Sequence, residues 1–434
     1  MRIMIVTDQY PPMVGGVPKV THGLATAFAR RGHQVAVVAP SYGMRDVHRI
    51  EDKIHVYRFS SFEWPTYEEL RIAFLPFLPF RRVLKHFDPD IIHIHSPIVL
   101  GNIAQILAGS LRKPVIATNH YMPSNISHTL SSDPILGKSF RYVSYSYLVH
   151  FCNRCEYVTA PTQTALNLLY EHGLRAPASA ISNGIDLSAY QPGAPDETVR
   201  QRLQLPVDRP LILSVNRLSQ EKRIDVLIDA AAKMQEQAHI VITGVGPAES
   251  DLRAQVDALN LQDGVTFTGF ISDKDVISLY RLARIFAIPS EADLQSLSTM
   301  EAMAVGLPVV AANAYALPEL VHHEENGFLF SPGDSDEMAG YLDTLLRDAP
   351  LRKRMSEKSL EIIAPHDSAR ILDKWEALYR RLVKEFAEAK ERKRDLRMAR
   401  KRKGYSRHAA PRVRVAREPN KSDLTLDKGQ LADE

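Results

Sequence analysis

Cysteine is nearly missing. The chain holds two in 434 residues, which excludes a disulfide framework and suits a reducing cytoplasm. Long hydrophobic runs are missing too: none approaches the ~20 residues that a membrane-crossing helix needs, so no integral span is expected. Met1-Arg2-Ile3-Met4-Ile5-Val6-Thr7-Asp8 reads as a first strand, too short and too soon interrupted for a signal peptide, and a cytoplasmic location is expected. Core material is plentiful. Hydrophobic residues make up 45% of the chain and charged ones 24%, as in ordinary globular proteins. At ~100–200 residues per domain, the length implies two or three domains.

The net charge is only +3, but it is unevenly placed. Residues 380–421 carry 17 Lys and Arg against 5 Asp and Glu, residues 422–434 sum to −3, and residues 1–379 sum to −6. An acidic body with a basic tail argues against a nucleic-acid groove over the body, and no specific nucleic acid is expected as a partner. The tail reads instead as a separate electrostatic contact device.

Short apolar runs alternate with amphipathic helical stretches from the first residue onward. Strand-like segments are Ile3–Thr7, Gln34–Ala39, Ile54–Phe59, Ile91–His95, Val115–Asn119, Tyr157–Ala160 and Ala178–Ser182. A second series follows at Leu211–Val215, Ile240–Thr243, Val265–Thr268, Ile285–Ile288 and Val309–Ala312. Apolar runs of this length separated by helices, such as Thr21–Arg31 closed by Gly32, indicate buried parallel strands in βαβ units. Two doubly wound α/β halves follow, with a seam at Tyr190-Gln191-Pro192-Gly193-Ala194-Pro195-Asp196. Expected boundaries are 1–192 and 197–365 for the two halves and 366–403 for a helical extension. The spacing of Ile371, Trp375, Leu378, Tyr379 and Leu382 marks an amphipathic helix there. Residues 404–434 have the composition of a disordered tail.

Several motifs sit where a doubly wound sheet presents its cleft. Gly15-Gly16 lies between the first strand and first helix, where paired glycines let amides approach a phosphate or simply make a tight turn. His93, His95 and His120 lie around strand ends. A metal reading of the three is weak because no cysteine or carboxylate accompanies them at ligand spacing. His93 and His95 read as structural, and His120 as either structural or a substrate contact. Arg217 and Lys222 flank a strand-to-helix turn and can converge on a diphosphate. Gly244-Val245-Gly246-Pro247 begins like a dinucleotide fingerprint, but Glu249 breaks it. Cys152 and Cys155 form a lone C-x-x-C pair and read as ordinary buried thiols. The most specific stretch runs from Ile288 to Val310: Asp293 and Glu301 lie eight apart around a helix start whose amides, near Ser296–Ser298, have no intrahelical partner.

Taken together these stretches resemble the retaining glycosyltransferases of family 4, with the two-Rossmann-domain architecture called GT-B. The resemblance covers roughly residues 1–385. It rests mainly on the carboxylate-x7-Glu signature and the Ala-Met-Ala-x-Gly-x-Pro-Val that follows, with support from Gly15-Gly16, Arg217 with Lys222, and Ser182-Asn183-Gly184-Ile185-Asp186. It implies that Arg217 and Lys222 hold a donor diphosphate and Glu301 the ribose. Asp293, with Gln295 and the amides of Ser296 and Leu297, would meet the transferred sugar and distal phosphate. The Gly15-Gly16 loop would close over the donor, and His120 would sit near the sugar. Most relatives carry Glu where this chain has Asp293, and many carry Gly at Ser296; Glu291 offers a carboxylate only by a register shift.

The implied reaction moves a sugar from a nucleotide diphosphate, of UDP-glucose or GDP-mannose type, to an acceptor hydroxyl with retention. No cofactor is required by this scheme, and a divalent metal is not expected to be essential. Ile91–Gly101 and Asp293-Leu294-Gln295 resemble bacterial enzymes that glycosylate diacylglycerol or phosphatidylinositol. The aromatic and basic segment Arg71–Lys85, with Arg81, Arg82 and Lys85, suits insertion at a bilayer interface, unless Phe74–Phe80 packs in the core. The expectation is a lipid acceptor and peripheral contact with anionic lipid on the inner membrane face. Alternatives on the same fold are a soluble or polysaccharide acceptor, a sugar-nucleotide epimerase, or a silent binding module.

Overall fold

β-Branched and aliphatic runs flanked by helices should build parallel sheets buried on both faces, and they do so twice. The computed structural model describes residues 1–64, 71–122 and 134–408. The chain divides into two units, Met1–Val383 and Lys384–Glu434.

The first unit holds two main sheets. In chain order the strands of the first are β1 (Arg2–Val6), β2 (Gln34–Pro40), β3 (Val47–Glu51) and β4 (Ile54–Phe59). A small hairpin, β5 (Ser61–Glu63) with β6 (Arg71–Ala73), interrupts the series, which resumes at β7 (Ile91–Ile94), β8 (Val115–Thr118), β9 (Tyr157–Ala160) and β10 (Ala178–Ala180). The spatial order is β10-β9-β8-β7-β1-β2-β4-β3. Neighbours run parallel except β3 on β4. The second sheet is β11 (Leu211–Val215), β12 (His239–Thr243), β13 (Val265–Gly269), β14 (Ile285–Ile288), β15 (Val309–Ala312) and β16 (Gly327–Phe330). Its order is β13-β12-β11-β14-β15-β16, parallel throughout. The order reverses at β1 and at β11, and doubly wound sheets open a crevice at such switch points. This is the expected GT-B architecture of two Rossmann-like lobes.

Four strands escaped the sequence pattern, each for a physical reason. β3 is an exposed edge with a polar composition, Val-His-Arg-Ile-Glu. β5 and β6 have three residues each. β16 begins at Gly327, where a Cβ would lie 1.9 Å from the Val309 carbonyl oxygen, so glycine is there for close strand approach rather than a turn. The first helix starts at Gly16, five residues before the expected Thr21, because Pro18 is tolerated in a first helical turn.

The helix Ser368–His408 begins in the first unit and brings Ile371, Leu372, Trp375, Leu378, Tyr379 and Leu382 into a core shared with Ile3, Phe28, Val35 and Ile91. The Tyr379 ring stacks on Phe28 at 5.2 Å between centroids. The amphipathic stripe read from the sequence is therefore no appendage; it completes one face of the first sheet. In the second unit the backbone is helical to His408, past Gly404, and Arg392 pairs with Glu388 one turn earlier. The disorder expected for 404–434 otherwise falls on residues 409–434, outside those described. Among the described residues no helix is long and apolar enough to cross a membrane.

Candidate active site

Turns at the carboxyl ends of both sheets converge on one crevice. Gly15 adopts φ 156, ψ 175, a region essentially restricted to glycine, and starts the first helix without a side-chain cap. A Cβ on Gly16 would meet Leu297 Cδ1 of the other lobe at 3.7 Å, so the loop lies against the second lobe. Between them is a cavity of about 290 Å³, lined among others by Gly15, Gly16, His120, Arg217, Lys222, Asp293, Gln295 and Leu297. Eight of the expected site residues thus meet in one place. Ser296 stands behind them as the cap of the helix Leu297–Ala304, its Oγ accepting from the Thr299 amide at 3.2 Å.

The charges in this cavity include one close ion pair. Lys222 Nζ donates to Asp293 Oδ1 at 2.8 Å, and Asp293 Oδ2 is buried with no hydrogen-bond partner among the described residues. Buried carboxylate oxygens are rarely left so. Gln295 is differently committed. Its Oε1 accepts from the Asn183 amide at 2.8 Å, and its Nε2 donates to Ser182 Oγ at 3.0 Å, so its side chain ties the lobes together across the crevice. Glu291 faces away to Arg223, at 2.5 Å.

Glu301 lies in a second, larger cavity of about 800 Å³ that meets the first at Val20, His120, Asn183 and Leu297. Its Oε2 accepts from the Tyr280 hydroxyl at 3.0 Å and its Oε1 pairs with Lys19 Nζ at 2.5 Å. Lys19 also reaches the Tyr190 hydroxyl at 3.2 Å. Burial works against the Lys19 ammonium, but Glu301 and Tyr190 outweigh it and hold its pKa above the ordinary range.

The histidines form a stack. His93 is fully buried; its Nδ1 meets the Tyr379 hydroxyl at 2.5 Å and its Nε2 meets Thr118 Oγ1 at 2.6 Å, which makes it a structural residue. His95 Nδ1 lies 2.9 Å from His120 Nε2. Burial lowers the pKa of His120 to about 4, so the ring is neutral. Among the described residues no three His, Cys, Asp or Glu side chains are placed to hold a metal.

Two family models match in tandem: Glycosyltransferase Family 4 over residues 14–189 and Glycosyl transferases group 1 over residues 195–361. The chain belongs to glycosyltransferase family 4. It is 29% identical over 380 residues to an alpha-monoglucosyldiacylglycerol synthase of Streptococcus pneumoniae, covering 86% of this chain and 84% of that protein. A GDP-mannose-dependent alpha-mannosyltransferase of Corynebacterium glutamicum is 27% identical, with 89% of each chain covered. In fold the protein is similar to sucrose-phosphate synthase of Thermosynechococcus elongatus, with a TM-score of 0.72 at 20% identity, covering 88% of this chain and 99% of that one. Anabaena HepE in complex with UDP and glucose gives 0.71 at 24%, covering 87% and 99%. As a family 4 glycosyltransferase the protein is a retaining hexosyltransferase that uses a nucleotide-sugar donor.

Sequence reasoning missed several parts of this glycosyltransferase site. Lys19 lies one helical turn beyond Gly15-Gly16, but nothing local says that it reaches Glu301. Tyr190 and Tyr280 are distant in sequence from each other and from Glu301. Asp8, just past β1, is fully buried, and burial pushes its carboxyl pKa up to about 7 against the Leu100 amide and the Ser96 hydroxyl. The Gly244 and Gly246 pair has a packing role, since Cβ atoms there would lie 1.9 Å from the Asn216 oxygen and 2.2 Å from the Leu218 oxygen. Cys152 and Cys155 are buried free thiols.

Arg81, Arg82 and Lys85 belong elsewhere. They line the exposed side of the helix Phe77–Phe87, whose other side buries Phe80, Leu84 and Phe87. Beside them Phe74, Leu75, Phe77 and Leu78 are 45%, 76%, 42% and 65% exposed. The segment is therefore split: Pro76 and Phe80 are buried, while Phe74, Leu75, Phe77 and Leu78 face out.

Proposed function

We propose that the enzyme transfers a hexose, with retention, from a UDP-glucose or GDP-mannose type donor to the hydroxyl of a membrane lipid such as diacylglycerol, at the cytoplasmic face of the membrane. The observation that carries the donor half is the unpartnered Asp293 Oδ2 beside Lys222 and Arg217. A sugar hydroxyl supplies the missing hydrogen bond, and the two cations take the charge that grows on the leaving diphosphate. Amides at the start of the helix Leu297–Ala304 add to that stabilisation. Glu301 accepts from the ribose hydroxyls once Lys19 withdraws, and His120 lies beside the transferred sugar. In this scheme the leaving phosphate oxygen takes the acceptor proton, so neither a separate nucleophile nor a divalent metal is needed.

The acceptor half is supported by the exposed Phe74, Leu75, Phe77 and Leu78 next to three cations, a composition that favours a bilayer interface. The likeness to the Streptococcus pneumoniae synthase, named for a glucosyldiacylglycerol product, points the same way. The test is a panel of both donors against diacylglycerol-containing vesicles and water-soluble sugars, with the product mass measured. A hexosylated lipid is expected. A product on the soluble sugars alone removes the lipid reading, and donor conversion without any acceptor turns the assignment to an epimerase.

A further inference from the structure

We infer that His95 is a positioning residue that fixes the His120 imidazole as the Nδ1–H tautomer, making it a hydrogen-bond donor toward the crevice. The inference rests on the proposed placement of the sugar beside His120.

The argument starts from the strand ends. His95 follows β7, with its amide held by the Val6 carbonyl at 2.8 Å. β7 and β8 pair in register, Ile94 opposite Ala117, which sets the loop carrying His120 alongside. The His95 ring is 3% exposed and lies between the rings of His93, at 3.9 Å, and His120, at 5.2 Å and 9° from parallel. Burial holds both His95 and His120 below the ordinary histidine range, and the neighbouring histidines lower His95 further. Two neutral rings share one proton across the 2.9 Å contact of His95 Nδ1 and His120 Nε2.

Either ring can be the donor in that contact, and the choice follows from the far side of His95. Its Nε2 is buried with no partner among the described residues. If His120 donates, His95 must carry its proton on Nε2, an orphaned buried N–H. If His95 donates from Nδ1, Nε2 is a bare lone pair. Orphaned N–H groups are the rarer and costlier of the two. His95 therefore donates, His120 Nε2 accepts, and the His120 proton resides on Nδ1. His120 lines both cavities, so this N–H is offered to an oxygen of the bound donor. A neutral donor of this kind suits a sugar hydroxyl and does not act as a base.

Asparagine places its amide nitrogen as many bonds from the backbone as histidine Nδ1 and can replace the His95 donor; phenylalanine fills the space without one. The experiment records 15N spectra of the full chain with labelled histidine, for wild type, His95→Asn, His95→Phe and His120→Ala. Steady-state rates are measured alongside, with whichever of UDP-glucose or GDP-mannose is turned over. The expected result is an Nδ1–H His120 in wild type and His95→Asn, lost in His95→Phe. For His95→Phe, kcat falls about tenfold or more with KM nearly unchanged, and His95→Asn restores it. An Nε2–H His120 in wild type, or equal loss of rate and tautomer in both His95 variants, overturns the inference. Unchanged turnover in His120→Ala, with the tautomers as expected, upholds the inference and removes the sugar contact of the proposed function instead.

Discussion

The two lobes meet at one crevice but bring opposite chemistry to it. The second lobe presents charge: Arg217, Lys222 and Asp293 on strand-to-helix connections of a wholly parallel sheet, and Glu301 within the helix Leu297–Ala304 that follows one of them. The first presents to the smaller cavity glycines and the neutral His120, and to the larger one Lys19, which crosses over, with Arg30 and Arg31. Its own buried acid, Asp8, is held protonated up to about neutral pH by burial. On the proposed reading, this difference gives the second lobe the ionic donor to hold and leaves the first to close over it. The two lysine–carboxylate pairs show this on a small scale. Lys222–Asp293 lies within the second lobe and survives any opening of the crevice. Lys19–Glu301 joins the lobes and must break if they part.

The contrast can be broken most severely on the charged side. Replacing both Arg217 and Lys222 with Ala should cut kcat/KM at least about 10³-fold, since donors aimed at developing charge are worth ~10²–10³ each. Initial rates with a retained circular-dichroism spectrum check it, and unimpaired turnover would remove the charged lobe from the chemistry. Reversing Arg81, Arg82 and Lys85 to Glu should lower binding to anionic vesicles at low salt by about a hundredfold, at ~1 kcal/mol per lost cation. Removal of the tail after Val383, a cut that spares buried Leu382, should add to this. Flotation decides, and unchanged binding in both variants would show that the membrane face is elsewhere.

Asp8 tests the neutral side. Its carboxyl is raised from 3.8 to about 7, so between those values the folded chain binds more protons than the unfolded one. Its contribution to stability is then intact below about 4 and is lost as pH rises toward 7. Asp8→Asn should therefore stabilise the protein at pH 8, by up to about 4 kcal/mol at ~1.4 kcal/mol per pKa unit, and much less at pH 4. Melting curves at both pH values measure it; an equal shift at both would mean that Asp8 is not buried as an acid. Smallest is the crossing lysine. Lys19→Met leaves Glu301 without its cation in the empty enzyme, so nucleotide binding should tighten about two- to fivefold, the scale of a half-exposed ion pair. Calorimetry with UDP and GDP decides, and weaker binding would place Lys19 on the donor instead.

The sequence made the second lobe easier to read than the first because its site lies on short turns after strong apolar strands. Asp293 and Glu301 are eight residues apart on one strand–loop–helix unit, and Arg217 and Lys222 flank another, so local spacing carried the geometry. In the first lobe the polar edge β3 and the three-residue β5 and β6 gave no periodic signal, and Pro18 hid the first turn of the first helix. Gln295, expected at the donor, lines the cavity, yet its amide is spent on Ser182 and Asn183, more than a hundred residues away.

Alternating apolar strands and amphipathic helices, glycine-bearing strand-to-helix turns and the Asp293–Glu301 spacing determined by themselves that two parallel-sheet lobes would form and where charge would gather. Those features are local, written in periods of a few residues, and they need no partner to be read. Only the tertiary structure decided that the Ile371–Leu382 stripe returns to the first lobe, that Lys19 meets Glu301, and that His95 stands behind His120 with one nitrogen unpaired among the described residues. Each of these depends on groups brought together by the burial of whole sheets, and one-dimensional spacing carries no information about which distant surfaces will share that burial.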